Sequence, residues 1–128
     1  MSNARILVVD DEADIRDFVQ ELLAEEGYTV EIAGTAAAAR AACAAQLPDL
    51  VLLDIWMPDI DGISLLREWQ HLHGHALPVV MMSGHGTVET AVEATRLGAL
   101  DYIEKPLSLA KLLRTVHSSL DEGRRRKH

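Results

Sequence analysis

Short apolar runs alternate along this chain with longer segments in which apolar residues recur every three or four positions. The short runs are rich in β-branched residues and have the length of strands, whereas the periodic segments have the spacing of one helical face. The pattern predicts five strands, over residues 6–9, 28–33, 50–54, 79–82 and 102–103. It also predicts five helices. The first lies between residue 12 and Gly27, and the other four cover residues 36–46, 62 to about 73, 88–97 and 108 to about 123.

The third predicted strand carries four consecutive apolar residues, from Leu50 to Leu53, without the alternation of a half-exposed strand. Such a run is typical of a strand that is buried on both faces, as in a parallel sheet. Strands that alternate with helices therefore predict an α/β fold with a single doubly wound five-stranded parallel sheet and helices on both faces. The simplest topology is the flavodoxin-like strand order 2-1-3-4-5.

Composition favours one soluble domain and excludes several other classes of protein. The chain has 128 residues, of which 48% are apolar and 25% are charged, and its net charge is −8. We expect one domain over residues 4–121 and a basic linker over 122–128. No apolar run approaches the about 20 residues of a membrane span, so we expect a cytoplasmic protein without membrane contact. The acidic balance disfavours nucleic acid as a direct partner.

Polar side chains lie at the carboxyl ends of four predicted strands. Asp10 and Asp11 follow the first strand, Asp54 ends the third, Ser83 follows the fourth and Lys105 follows the fifth. Parallel strands bring their carboxyl ends to one edge of the sheet, where open α/β sheets bind ligands. Two carboxylates about 4 Å apart repel by about 4 kcal/mol at the effective dielectric constant of a protein surface. Three of them at one edge therefore predict a bound cation, and Mg²⁺ suits a site with few protein oxygens.

A carboxylate beside a metal ion and a lysine is suited to accepting a phosphoryl group. In this hypothesis a carboxylate oxygen of Asp54 attacks phosphorus. The ion and Lys105 would each hold one oxygen of the phosphoryl group, and the Ser83 hydroxyl would donate to the third. The sequence thus points to phosphoryl transfer onto the protein.

Four motifs make the chain resemble a receiver domain of a two-component response regulator over essentially its whole length. They are Val-Val-Asp10-Asp11-Glu, Leu-Leu-Asp54-Ile-Trp-Met-Pro58-Asp-Ile-Asp-Gly62, Met-Ser83-Gly-His and Asp-Tyr102-Ile-Glu-Lys105-Pro106. Within that family, segments 83–92 and 98–106 are similar to receivers of nitrogen-regulatory, sigma-54-dependent activators. In those activators an ATPase domain and a DNA-binding domain follow the receiver.

The resemblance implies that Asp54 accepts a phosphoryl group from a phosphohistidine of a sensor histidine kinase. It also implies a Mg²⁺ site beside Asp54. In that site Asp11 binds the ion directly, Asp10 binds it mostly through water, and Trp56 contributes its backbone carbonyl.

The resemblance also implies a switch. Ser83 and Lys105 would sense the phosphoryl group, Tyr102 would change rotamer, and the Lys105-Pro106 peptide bond would be cis. The output would be the surface of the fourth helix, fifth strand and fifth helix, used for homodimerisation. We expect this switch to regulate transcription through an effector domain outside the chain. It would not be a turnover enzyme, although it could hydrolyse its own acyl phosphate.

Three alternatives remain open from the sequence. A haloacid-dehalogenase-like phosphatase also has an aspartyl nucleophile after a strand, but it requires a second aspartate where this chain has Trp56. A nucleotide-binding module requires a glycine-rich loop after the first strand, where residues 9–12 carry negative charge instead. The third is a stand-alone or a phosphorylation-independent receiver-like interaction domain, and absence of Mg²⁺ affinity would distinguish the phosphorylation-independent one.

Other conspicuous polar residues are interpreted as solvated side chains of loops and helix ends, namely Asp59, Asp61, His71, His73 and His75. The three histidines alternate across a helix end and do not share one face, which disfavours a metal site. His85 follows the fourth strand and is interpreted as a loop residue, with a role beside the phosphoryl group left open.

Overall fold

The five predicted strand–helix units are all present in the computed structural model, which describes residues 4–84 and 88–127 without the side chains of residues 75 and 125–127. The strands are β1 (Arg5–Val9), β2 (Thr29–Ala33), β3 (Leu50–Asp54), β4 (Val79–Ser83) and β5 (Asp101–Glu104). The helices are α1 (Ala13–Glu25), α2 (Ala36–Ala45), α3 (Gly62–His73), α4 (Val88–Arg96) and α5 (Leu109–Lys127), with a 3-10 helix at Gly74–Ala76.

All five strands run parallel in the order β2-β1-β3-β4-β5, which confirms the predicted fold class and strand order. Val9 lies opposite Leu53 in the β1–β3 pair, and Asp54 lies opposite Met82 in the β3–β4 pair. This register brings the carboxyl ends of the three central strands to the same edge of the sheet. That edge, called the carboxyl edge below, carries the candidate site.

Each face of the sheet has its own hydrophobic core. Helices α2, α3 and α4 cover one core, and helices α1 and α5 cover the other. Val51 and Leu53 point into the first core, whereas Leu50 and Leu52 point into the second. The unbroken apolar run of β3 is therefore explained, because both of its faces are buried.

Asp59 and Asp61 are exposed, as interpreted from the sequence, and both also have a structural role at the start of a helix. The Asp59 carboxylate accepts hydrogen bonds from the backbone N–H groups of Ala36 and Ala37, at 3.0 and 3.1 Å, at the start of α2. The Ala36 hydrogen bond holds the pKa of Asp59 below its ordinary value. Asp61 is the N-cap of α3 and accepts from the Ser64 N–H at 2.8 Å. Both carboxylates satisfy N–H groups that a helix start leaves unpaired.

Helix α5 does not end near Gly123, as the sequence predicted, but continues to Lys127. A Cβ placed on Gly123 would lie 2.7 Å from Pro78 Cγ, so a side chain there would collide with the residue that precedes β4. A glycine inside a helix costs only about 1 kcal/mol relative to alanine. Close packing of α5 on this segment offsets that cost, and the helix continues through the glycine.

The open role of His85 is not tested, because His85 lies outside the described residues. Within residues 4–84 and 88–127, no helix has the length and apolar character needed to cross a membrane.

Candidate functional site

The carboxyl edge brings together the side chains that the sequence placed there. Asp10 directly follows β1, Asp54 is the last residue of β3, Ser83 is the last residue of β4, and Lys105 directly follows β5. Asp10, Asp54 and Ser83 are all buried. The Lys105 N–H donates to the Ser83 carbonyl at 2.9 Å, which places these two residues side by side. The edge is therefore a compact polar site above a hydrophobic sheet.

The ammonium of Lys105 is shared among three carboxylates. Its Nζ lies 2.7 Å from Asp10 Oδ2, 3.3 Å from Glu12 Oε1 and 3.6 Å from Asp54 Oδ1, and its side chain is only 11% exposed. Burial lowers the pKa of Lys105, but the hydrogen bond and the charge of Asp10 outweigh burial and raise it. Lys105 therefore stays charged and holds the acidic residues together.

One lysine does not neutralise this edge. Burial, and then the charge of Asp10, raise the pKa of Asp54 to about 6, although Lys105 and the backbone N–H of Trp56 act in the opposite direction. The charge of Asp11 raises it further. A carboxyl group with a raised pKa binds its proton more tightly than usual, so the site favours additional positive charge near Asp54.

Carboxylate oxygens at the end of β1 have the spacing of a metal site. One carboxylate oxygen each from Asp10, Asp11 and Glu12 lie within 4.8 Å of one another, with Asp10 buried and the other two exposed. A set of hard oxygen donors that is partly open to solvent fits Mg²⁺, which keeps several of its waters. The sequence prediction omitted Glu12, although its position beside two aspartates was a sufficient signal.

Trp56 and Tyr102 are the two aromatic residues that the sequence analysis assigned to the site. Trp56 follows β3 by two residues, and it is 53% exposed. Tyr102 lies in β5 opposite Met81 and is half-buried. Its hydroxyl has no hydrogen-bond partner among the described residues. The peptide bond between Lys105 and Pro106 is cis.

The histidines of α3 lie away from this site. His71 is exposed and His73 is half-buried in the last turn of the helix. In the described part of the chain, neither belongs to a cluster of three possible metal ligands.

The family model of the response regulator receiver domain matches residues 6–117, a range that includes every site residue named above. Among curated proteins, the nitrogen assimilation regulatory protein NtrX of Azorhizobium caulinodans is 44% identical over 124 residues, which cover 95% of this chain and 27% of that protein. The chain thus spans about a quarter of the length of this relative.

Two solved structures of receiver domains are similar over most of this chain. The receiver domain of NtrX from Brucella abortus is 48% identical, with a TM-score of 0.85 and coverage of 91% of this chain and 98% of that one. The beryllofluoride-activated NtrC4 receiver domain dimer is 35% identical, with a TM-score of 0.88 and coverage of 93% and 98%. These matches confirm the resemblance to nitrogen-regulatory receivers and disfavour the phosphatase and nucleotide-binding alternatives. The chain belongs to the response regulator receiver domain family.

Proposed function

We propose that Asp54 is the phosphoacceptor of this receiver domain and that phosphorylation switches its signalling state. The observation that carries the proposal is the sharing of one ammonium, that of Lys105, between the buried carboxylates of Asp10 and Asp54. Asp54 lies at the centre of the carboxyl edge, because β3 is the middle strand of the five-stranded sheet. A nucleophile there has positive charge beside it and is shielded from bulk water.

The acidic residues at this edge would hold Mg²⁺. We assign Asp10, Asp11, Asp54 and the backbone carbonyl of Trp56 as its protein ligands or water-mediated partners, with Glu12 close enough to contribute. The bound ion would supply the positive charge that neutralises the phosphoryl oxygens during transfer.

The transfer step follows from the chemistry of a carboxylate nucleophile. An Oδ atom of Asp54 attacks the phosphorus of a phosphohistidine on a sensor histidine kinase, and an oxygen–phosphorus bond forms. The phosphorus–nitrogen bond breaks and its electron pair returns to that ring nitrogen, so a phosphohistidine that is protonated on its other ring nitrogen leaves as neutral imidazole. The product is an acyl phosphate on Asp54, which water can later hydrolyse, so the domain is a switch and not a turnover enzyme.

Ser83 and Lys105 would respond to the new phosphoryl group. The Lys105 ammonium is already 3.6 Å from Asp54 Oδ1 and would pair with a phosphoryl oxygen. Ser83 is joined to Lys105 through its backbone carbonyl and would donate its hydroxyl to another. Tyr102 lies on β5, the strand next to the one that ends in Ser83. Its buried hydroxyl has no hydrogen-bond partner among the described residues, which supports a change of rotamer when Ser83 moves.

The partners follow from the same proposal. A sensor histidine kinase would supply the phosphoryl group, in the cytoplasm, and the output would regulate transcription in a longer protein. The α4–β5–α5 surface has exposed apolar residues, with Val88 81%, Val92 47% and Leu109 51% exposed. A homodimer of phosphorylated domains would bury these side chains, because exposed apolar patches commonly mark protein–protein contact sites. The similar NtrC4 receiver domain is a dimer in its beryllofluoride-activated structure.

The phosphoacceptor assignment is tested by incubating the protein with acetyl phosphate and Mg²⁺. Intact-mass measurement should show the gain of one phosphoryl group in the wild type and none in Asp54→Asn, because an amide is not a nucleophile for this step. Asp59→Asn is the matched control, since Asp59 lies on the following loop and should leave uptake unchanged. Labelling of Asp54→Asn to the wild-type extent would refute the assignment.

The dimer proposal is tested by light scattering with and without beryllofluoride and Mg²⁺. The molar mass should double on activation in the wild type but not in Val92→Glu, which puts a charge on the α4 surface. Leu72→Glu changes a residue on α3 that is 62% exposed, and this control should still dimerise. Equal dimerisation of both variants would place the interface elsewhere.

A further inference from the structure

Four contacts hold Asp10 at the end of β1. Its backbone N–H donates to the Ala33 carbonyl at 3.1 Å, and its own carbonyl accepts from Arg16 Nη1 at 2.8 Å. Its Oδ1 accepts from the Glu12 backbone N–H at 2.9 Å, and its Oδ2 lies 2.7 Å from Lys105 Nζ. The first three contacts are hydrogen bonds, whereas Oδ2 has no hydrogen-bond partner among the described residues and is held by its ion pair with Lys105.

The contact from Arg16 connects α1 to the chain that carries the acidic residues. Arg16 lies in the first turn of α1, where its backbone N–H donates to the Glu12 carbonyl at 3.1 Å. Its side chain reaches back past the end of the β ladder, which stops at Val9. The Asp10 carbonyl thus has no strand partner, and a buried carbonyl without a donor is costly. The guanidinium supplies that donor and ties down the backbone from which Asp10 and Asp11 project.

Gly34, the residue after β2, leaves room for this guanidinium. A Cβ placed on Gly34 would lie 2.8 Å from Arg16 Nη1 and 3.4 Å from Cζ, and its three nearest heavy atoms all belong to Arg16. The φ angle of Gly34 is not positive, so an alanine there is not opposed by backbone strain. A methyl group at this position would therefore displace the guanidinium before it disturbed anything else.

We propose that Arg16 is a positioning residue for the metal site and that Gly34 is required because a side chain there would displace it. This inference rests on the proposed Mg²⁺ binding by Asp10 and Asp11. Arg16 does not contact the ion in this proposal. It fixes the main chain between β1 and α1, so that the carboxylates keep the spacing that Mg²⁺ needs. Loss of such outer contacts commonly lowers metal affinity about 10-fold to 100-fold.

The charge of Arg16 complicates its simplest variant. Arg16→Ala has two opposite effects on Mg²⁺ affinity. Loss of a positive charge near the acidic residues should raise the affinity, whereas loss of the hydrogen bond to the Asp10 carbonyl should lower it. Gly34→Ala keeps the charge and moves only the guanidinium. Gly34→Ala therefore carries the test, and Arg16→Ala serves as the background in which the added methyl group has nothing to displace.

The experiment is a Mg²⁺ titration by calorimetry of the wild type, both single variants and the double variant. Thermal unfolding in EDTA verifies that each protein is folded at the titration temperature. We expect Gly34→Ala to weaken Mg²⁺ binding about 10-fold. In the Arg16→Ala background, the same substitution should change the affinity less than about two-fold. Gly84→Ala is the control, because among the described residues a Cβ there would meet only Lys105, at ordinary distances of 3.6 Å or more.

Two results would overturn the inference while leaving the proposed function intact. One is wild-type Mg²⁺ affinity in Gly34→Ala, and the other is an equal loss of affinity in both backgrounds. If Gly34→Ala lowers the thermal stability but leaves the Mg²⁺ affinity unchanged, the inference is also overturned and Arg16 has a purely structural role. Absence of Mg²⁺ binding by the wild type would overturn the proposed function itself.

Discussion

Asp54→Asn should make the metal-free protein more stable than the wild type, by about 2 kcal/mol at about pH 7.5. Asp54 is 3% exposed and shares one lysine with Asp10, so its negative charge is poorly compensated in the absence of a metal ion. Asparagine has nearly the same shape without that charge. The measurement is chemical or thermal unfolding in EDTA, in which a gain of this size raises Tm by about 6 °C.

The pH dependence of this gain follows from the pKa of Asp54. Burial and Asp10 raise that pKa from its ordinary value of 3.8 to about 6 in the folded protein. Between these two values the folded state holds a proton that the unfolded chain releases, so the wild type loses stability as the pH rises. The full difference would correspond to about 3 kcal/mol, and we expect somewhat less because the unfolded chain retains some charge interactions. Asp54→Asn lacks this loss, so the two proteins should be nearly equal at about pH 4.

Magnesium should reverse the order of stability. The wild type gains stability on binding the ion, whereas Asp54→Asn lacks one of the proposed ligands and gains less. Asp17→Asn, at an exposed position of α1, should match the wild type within about 0.5 kcal/mol at both pH values. An Asp54→Asn protein no more stable than the wild type at about pH 7.5 in EDTA would contradict the electrostatic account of the site.

Gly62→Ala should destabilise the fold by about 3 kcal/mol or more, lowering Tm by about 10 °C. A Cβ placed on Gly62 would overlap the backbone oxygen of Asp54 and would lie 2.8 Å from Ile55 Cα. Both atoms belong to the main chain at the end of β3, which cannot move aside as a flexible side chain can. The Gly62 N–H also donates to the Ile55 carbonyl at 2.6 Å, so the start of α3 is held against this strand.

This collision should also affect the site. A shift of the Asp54 carbonyl moves the carboxylate that we propose as phosphoacceptor and the loop that carries Trp56, so phosphoryl uptake from acetyl phosphate should fall as well. Gly84→Ala is again the matched control, with an expected change in unfolding free energy within about 0.5 kcal/mol. Equal stability of the Gly62 and Gly84 variants, measured by urea unfolding, would show that the β3–α3 contact can relax.

Several features followed from the sequence because they depend on local pattern. The apolar run from Leu50 to Leu53 predicted a strand buried on both faces, and the structure confirms that its residues enter both cores. The strand–helix alternation predicted the parallel sheet, because a crossover of this kind has one favoured hand and few topologies. The ends of the strands then predicted which side chains share the carboxyl edge. Their roles in binding and transfer are still predictions.

Features that depend on contacts between distant segments could not be read from the pattern. Asp59 pairs with the start of α2, which lies 23 residues earlier in the chain. The Arg16 guanidinium occupies space left by Gly34, and α5 continues through Gly123 because that glycine packs against Pro78. In each case the sequence shows an ordinary polar residue or a glycine, with no periodicity to mark its partner.

The sequence by itself thus determined the order of the elements, the parallel sheet and the acidic edge, because hydrophobic periodicity and strand direction are local properties that parallel packing combines in few ways. Only the tertiary structure decided how the charges at that edge are distributed. It places the Lys105 ammonium closer to Asp10 than to Asp54 and adds Glu12 to the group. Such distances depend on how loops from three strands meet, and electrostatic energies change steeply with separation and burial.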